Sequence, residues 1–273
     1  MPDSLPTPCP GRPPRVVVTR PAPEALQWLA GLQAGGVEAL ALPLIEIVPA
    51  ADPQAVHAAW QRLGDYIAVM FVSPNAVAHF FEQKIAGAST RWAQGLIPTR
   101  AWSPGPGTSG ALLRAGLAPT QIDAPADDAP QFDSEALWAR VASQPRPGQR
   151  VLIVRGSDGA GQGAGRDWLA KRLASAGVQV DRLAAYRRRV PRLAPDQLAL
   201  ARRAANDGSV WLFSSSEAIT NLVAQLPAQD WGAARAVATH PRIAATARNA
   251  GFGVVCESRP ALDTVMASIK SFA

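Results

Sequence analysis

Short, unbroken apolar runs punctuate the chain. Val16 to Thr19 leads through Arg20, Ile67 to Val72 into Ser73-Pro74-Asn75, Val151 to Val154 into Arg155-Gly156, and Val210 to Phe213 into Ser214-Ser215. Runs of this length without polar alternation suit strands buried on both faces of a parallel sheet. Helical stripes follow them. A helix is predicted from about Pro23 to Gln33, with Leu26, Leu29 and Leu32 buried and Gly35-Gly36 as the stop. Val56, Ala59, Trp60 and Leu63 mark a second helix, and Ser73 caps a third that runs through Phe80 and Phe81. Further on, the pattern predicts a strand from Thr99 to Trp102, a helix from about Thr108 and a helix over 134–142 capped by Ser134. Asp167 stands as the cap of a helix with the stripe Trp168, Leu169 and Leu173, and the following strand alternates Val178, Val180 and Leu183 and ends at Tyr186. The last third predicts a helix near 195–206, the cap Ser214-Ser215-Ser216, a helix to Leu226, a strand over 236–238, a helix from Pro241, a strand at Val254-Val255 and a helix from Leu262. Strands alternating with helices place the chain in the α/β class with parallel sheets.

The pattern repeats. RVVVTRP from Arg15 matches RVLIVRG from Arg150, FVSPNAV from Phe71 matches FSSSEAI from Phe213, and RAWSPGPG from Arg100 matches RAVATHPR from Arg235. The order A-B-C-A′-B′-C′ indicates a duplicated half rather than a solenoid. The stretch 39–50 carries two prolines inside an apolar run, which excludes a plain central strand and suggests a passage from one domain to the other; Val190-Pro191 suggests the return.

At 273 residues the chain is long enough for about two domains, each with its own core. The first fourteen residues, rich in proline, read as a disordered tail without the apolar core of a signal peptide, and no run approaches the roughly 20 residues of a membrane span. Cys9 and Cys256 are too far apart in character and position to suggest a disulfide framework, so a reducing cytoplasm fits. The net charge of +6 favours an anionic partner. Only Arg187 to Arg189 form a basic run, and no aromatic stacking residues accompany it, which argues against nucleic acid.

Absences narrow the chemistry further. His57, His79 and His240 with the two cysteines offer no metal-ligand spacing. GSDGAGQGAG from Gly156 does not fit the dinucleotide fingerprint, and Tyr186-Arg187 stand where its ribose-binding acid belongs. What remains is a set of capped turns after strands: Thr19-Arg20, Ser73-Pro74-Asn75, Gly105-Pro106-Gly107-Thr108, Arg155-Gly156, Ser214-Ser215 and Thr239-His240. In parallel sheets these lie at the carboxyl ends of strands, where ligands bind. Each also presents helix N-terminal N–H groups, which favour an anion by about 0.3–1 kcal/mol per charge.

Taken in order, VVVTRP, the VPA crossing, FVSPNAV, SPGPGT, VLIVRG with GRDWL, AAYRR and FSSSEAI resemble the uroporphyrinogen-III synthase family over nearly all of the chain from Arg15. The resemblance implies two flavodoxin-like parallel-sheet lobes joined by a two-strand linker, one of them discontinuous: 15–45 with 190–273, against 51–186, with crossings at 43–50 and 186–193. It implies closure of the linear tetrapyrrole hydroxymethylbilane into uroporphyrinogen III, with loss of water and inversion of the last ring, by a cytoplasmic monomer with neither cofactor, metal nor membrane. Tyr186 matches the family's tyrosine beside the cleft, proposed to help the hydroxyl depart. Arg20, Arg155 and Arg166 would face substrate carboxylates, and Ser73, Asn75, Gly105, Thr108, Ser214, Ser215 and Thr239 would supply donors around them. The chain departs from the family's glycine and threonine at His240 to Ile243, and its 156–165 loop is longer than usual. Two other classes fit the residues: a non-catalytic two-lobed sensor or binding module of the same fold, and a two-domain α/β transferase acting on a nucleotide-linked substrate.

Overall fold

A computed structural model describes residues 14–126, 128–157 and 168–272. The proline-rich start, most of the 156–165 loop, Arg166 and the Asp167 cap lie outside the described residues. The strands are β1 (Val16–Val18), β2 (Ala39–Ala41), β3 (Glu46–Pro49), β4 (Ala68–Phe71), β5 (Arg100–Trp102), β6 (Ile122–Asp123), β7 (Arg150–Ser157), β8 (Gln179–Arg189), β9 (Val210–Phe213), β10 (Arg235–Ala238) and β11 (Val254–Glu257). The helices are α1 (Ala22–Ala34), α2 (Pro53–Gln61), α3 (Pro74–Glu82), α4 (Ala88–Ala93), α5 (Pro106–Arg114), α6 (Ser134–Val141), α7 (Trp168–Ser175), α8 (Pro195–Ala204), α9 (Ser216–Gln225), α10 (Pro241–Asn249) and α11 (Leu262–Lys270).

The chain divides into two compact units: unit 1 contains the residues up to Glu46 and from Val190 onward, and unit 2 runs from Ile47 to Arg189. Unit 1 is discontinuous, as expected. Its sheet has the order β2-β1-β9-β10-β11, with every neighbouring pair parallel. Counted along its own strands this is 2-1-3-4-5, the flavodoxin-like order, whose direction reverses between β1 and β9. The sheet of unit 2 runs β3-β8-β7-β4-β5-β6. With β7 and β8 counted first it has the same order, 2-1-3-4-5, reversing between β7 and β4, and β3 is an added edge strand beside β8. Arg187 Nε donates to the Pro49 carbonyl oxygen at 3.2 Å at that edge.

Period-two packing explains why the apolar runs become central strands. In unit 2, Val69, Phe71, Leu152 and Val154 face one way, onto Val56 and Trp60 of α2, Phe80 of α3 and Leu112 of α5. Ala68, Met70, Val151 and Ile153 face the other, onto Leu137 and Val141 of α6 and Leu169 and Leu173 of α7. In unit 1, Val16, Val18, Val210, Leu212 and Val237 pack on Ala25 and Leu32 of α1 and Val265 and Ile269 of α11. Trp211 and Phe213, one residue out of phase, stack together and meet Trp231 and Phe252.

Several local expectations are corrected. Leu26 is exposed, and the buried stripe of α1 is Ala25 and Leu32, with Leu29 half-buried. The helix α5 begins at Pro106 rather than Thr108, because proline at the first helical position gives up no hydrogen bond. Its N-cap Gly105 has extended backbone, and a Cβ there would lie 2.8 Å from that of Phe132, so the position requires glycine for a close approach. Asp133 replaces Ser134 as the cap of α6, its Oδ1 accepting from the N–H groups of Glu135 and Ala136. Trp168 is exposed, and Ala170 takes its place in the buried stripe of α7. The strand through Tyr186 continues to Arg189. The helix α4 and strand β6 were not anticipated; each is too short to show a period.

Candidate functional site

Most of the candidate site residues of each unit lie beside the reversal of its strand order, and Gly105, Thr108 and Thr239 lie one strand further out. In unit 2 the turn after β4 carries Ser73-Pro74-Asn75, whereas Arg155-Gly156, expected in a turn, belong to the last residues of β7, where they still pair with β8. Ser73 caps α3, its Oγ accepting from the Ala76 N–H at 3.2 Å, and the same Oγ lies 3.0 Å from the hydroxyl oxygen of Tyr186. Tyr186 reaches that point through an irregularity in the β7 and β8 pairing, where Arg155 opposes Ala184 but Gly156 opposes Tyr186. The unpaired Ala185 breaks the alternation, so that Ala185 and Tyr186 are both buried. Gly156 makes room for the ring: a Cβ there would lie 2.5 Å from Tyr186 Cε2 and Cζ. The imidazole of His79, two turns into α3, stacks on the phenol with ring centres 5.7 Å apart and planes 25° apart, and its Nδ1 lies 3.1 Å from Glu82 Oε2.

Gly105 and Thr108 of unit 2 follow β5, one strand out from the reversal. Thr108 is buried in the first turn of α5, and Ser103 Oγ donates to the Gly105 carbonyl oxygen at 2.8 Å and accepts from Ser109 Oγ at 3.0 Å. Asn75 sits in the first turn of α3 and Arg155 near the carboxyl end of β7, both half-buried. Arg166 lies outside the described residues.

In unit 1 the reversal lies between β1 and β9. Thr19 Oγ1 donates to the Leu212 carbonyl oxygen at 2.8 Å and ties the two carboxyl ends together. Arg20 follows. Its Nη1 donates to Glu24 Oε2 at 3.2 Å, its guanidinium lies 4.6 Å from the Trp28 ring centre, and its Nε is buried without a hydrogen-bond partner among the described residues. Burial pulls the guanidinium below its ordinary pKa, and Glu24 opposes that pull. Ser215 caps α9, accepting from the Glu217 N–H at 3.2 Å, with Ser214 half-buried before it. Thr239 is buried after β10, its N–H bonded to the Phe213 carbonyl oxygen, and His240 caps α10 through Nδ1.

A second polar cluster lies at the amino edge of the unit 2 sheet. Asp181 Oδ2 accepts from the Tyr66 hydroxyl at 2.8 Å and from Arg150 Nη2 at 2.6 Å. Burial and the adjacent Asp181 carboxylate push the Tyr66 phenol up to about 12. Asp181 itself stays below the usual range although burial works against its charge, because Arg150 and Tyr66 bond to it. The groups tie β7 and β8 to the segment leading into β4, at the end opposite the turns.

Sequence reasoning missed His79 as a neighbour of Tyr186. It weighed the histidine only as a metal ligand, and a contact across 107 positions leaves no local signal. Among the described residues no group of three His, Cys, Asp or Glu side chains could hold a metal ion, and no helix is long and apolar enough to cross a membrane.

Two five-strand parallel arrays of one order, each with a serine-capped helix and an arginine at its reversal, define a duplicated, flavodoxin-like α/β protein suited to an anionic ligand. A family model described as "Uroporphyrinogen-III synthase HemD" matches residues 27–267, and the chain belongs to that family. A uroporphyrinogen-III synthase of Synechococcus elongatus is 28% identical over 221 residues, covering 80% of this chain and 78% of that protein. One of Chlorobaculum parvum is 29% identical over 144 residues, covering 52% and 53%. Among solved structures, uroporphyrinogen-III synthetase of Helicobacter pylori aligns with a TM-score of 0.57 at 15% identity, over 95% of this chain and 100% of that one. A mutant uroporphyrinogen III synthase of Thermus thermophilus aligns with a TM-score of 0.51 at 16% identity, over 94% and 98%. These likenesses carry the two-lobed fold, and the family assigns the chain to an enzyme of haem biosynthesis, a lyase, in preference to a non-catalytic module.

Proposed function

We propose that the chain acts in the cytoplasm on hydroxymethylbilane and closes it to uroporphyrinogen III, with Tyr186 as the acid that helps the hydroxyl leave. The observation that carries this role is the phenol of Tyr186 at the carboxyl end of β8, 3.0 Å from Ser73 Oγ beside the reversal of the unit 2 sheet. A phenol with an ordinary pKa near 10 is protonated at neutral pH and can donate to the departing oxygen. The carbon–oxygen bond of the hydroxymethyl group then breaks, and water leaves with that proton. For the last ring to end up inverted, the methylene left by that departure must bond to the α carbon that already links this ring to its neighbour; the older link breaks and re-forms at the ring's free α carbon, and the proton released there restores Tyr186, so the sequence is neutral overall.

The substrate's eight carboxylates need donors. In unit 1, Arg20 supplies a buried Nε, and the N-caps of α9 and α10 supply N–H groups near Ser214, Ser215 and Thr239. In unit 2, Arg155, Arg166, Asn75, Gly105 and Thr108 are assigned the same task, with Ser73 shared between its cap and Tyr186. Charge-assisted bonds of this kind are roughly twice as strong as neutral ones. Spontaneous closure joins the free α carbon of the last ring and gives the uninverted isomer, so catalysis consists chiefly in positioning the already linked α carbon for attack and guiding the exchange of its bond.

Incubation with hydroxymethylbilane and separation of the ring isomers tests the reading. The type III isomer should form in excess over the spontaneous type I background; type I alone, at the uncatalysed rate, would refute it.

A further inference from the structure

We infer that His79 is a positioning residue for the reaction: its imidazole, stacked on Tyr186, holds the phenol in the direction from which it donates. This rests on the reading of Tyr186 as the acid. Three contacts from two elements converge on that one side chain. Ser73 at the start of α3 fixes the hydroxyl at 3.0 Å, Gly156 at the end of β7 underlies the ring where a Cβ would collide with Cε2 and Cζ at 2.5 Å, and His79 of α3 lies nearly parallel to it. A hydroxyl can be aimed by a hydrogen bond only if the ring behind it cannot swing, and a phenol has two rotatable torsions. Gly156 offers backbone alone, and among the described residues the aromatic ring stacked on the phenol is that of His79.

The imidazole is itself held. Glu82, three residues further along α3, places Oε2 at 3.1 Å from His79 Nδ1, and the residues to either side of His79 on the helix, Val77, Phe80 and Phe81, are fixed in the core with Trp60 and Phe71. A rigid helix therefore presents both Ser73 and His79 to Tyr186 from one body, its two ends reading the hydroxyl and the ring. Such an arrangement matters for rate because misplacement of a reacting group by about 1 Å can cost 10²-fold.

The test is a set of four variants with two readouts. Steady-state kinetics with isomer separation are measured for His79→Ala, His79→Phe, Tyr186→Phe and the double variant His79→Ala with Tyr186→Phe. In parallel, the ring signals of carbon-labelled tyrosine are followed by NMR, where the chain's two tyrosines leave Tyr66 as an internal control. His79→Ala should move the Tyr186 signals and not those of Tyr66, lower kcat about tenfold with KM kept, and raise the share of type I product. His79→Phe, which keeps a flat aromatic face, should recover most of kcat. In the Tyr186→Phe background, His79→Ala should have no further effect, since residues acting through one group are not additive. Unmoved Tyr186 signals, an unchanged kcat, or His79→Phe as slow as His79→Ala would each overturn the proposal. Tyr186→Phe at the wild-type rate would overturn the acid reading and the positioning role with it. That result is told apart from the others because the Tyr186 signals of His79→Ala would still move.

Discussion

The two units share a strand order and yet equip their reversals differently. In unit 1 the second strand, β2, ends after three residues, and the turn after β1 holds a cation, Arg20, between Glu24 and the Trp28 ring. In unit 2 the matching strand, β8, runs for eleven residues, gains one residue against β7 at Ala185, and so carries Tyr186 up to the cap of α3. Duplication supplied helix N-termini and hydroxyls at both reversals. The longer strand adds a phenol to that of unit 2. On the proposed function the labour is divided: unit 1 would grip carboxylates, and unit 2 would both grip them and do the chemistry.

The largest break in that division should come from Tyr186→Phe, which removes the proton and leaves the ring. We expect kcat to fall about 10²-fold, the scale of lost general acid help, with the melting temperature little changed. Gly156→Ala should come next. Its Cβ would meet the Tyr186 ring at 2.5 Å, forcing the phenol or the strand to move, so kcat should fall about tenfold and chemical denaturation should show a loss of about 1–3 kcal/mol. Arg20→Ala bears on the other unit: KM should rise about tenfold, the equivalent of roughly 1.4 kcal/mol, with kcat within a factor of about two. The smallest effect concerns the amino edge. The Tyr66 phenol is neutral in the fold up to about 12 but ionises near 10 in the unfolded chain, so its contribution is present below pH 10 and is lost as pH rises towards 12. Urea midpoints measured across that interval should fall less steeply for Tyr66→Phe than for the parent chain.

Much of this was legible in the sequence because it depends on local periods. Apolar runs at Val16, Val69, Val151 and Val210 became the central strands, and Ser73 and Ser215 became caps where polar residues precede a helix. The discontinuity of unit 1 was legible from the two proline-broken crossings, at 39–50 and Val190-Pro191, and from the family resemblance. What remained hidden arises between distant segments. The bulge at Ala185 depends on the pairing with Arg155-Gly156, the His79 stack on α3 meeting β8, and the exposure of Leu26 on which face of α1 meets α11, and none of these leaves a mark in a short window. Asp133 displaced Ser134 as a cap because both residue types can accept the bond, and composition alone does not choose between neighbours.

The claim that unit 2 does the chemistry and unit 1 the gripping is tested most directly by kinetics on hydroxymethylbilane, with ring isomers separated, for Tyr186→Phe and Arg20→Ala side by side. The account predicts that Tyr186→Phe loses kcat and keeps KM, whereas Arg20→Ala raises KM and keeps kcat. Loss of kcat in Arg20→Ala with Tyr186→Phe unaffected would contradict it.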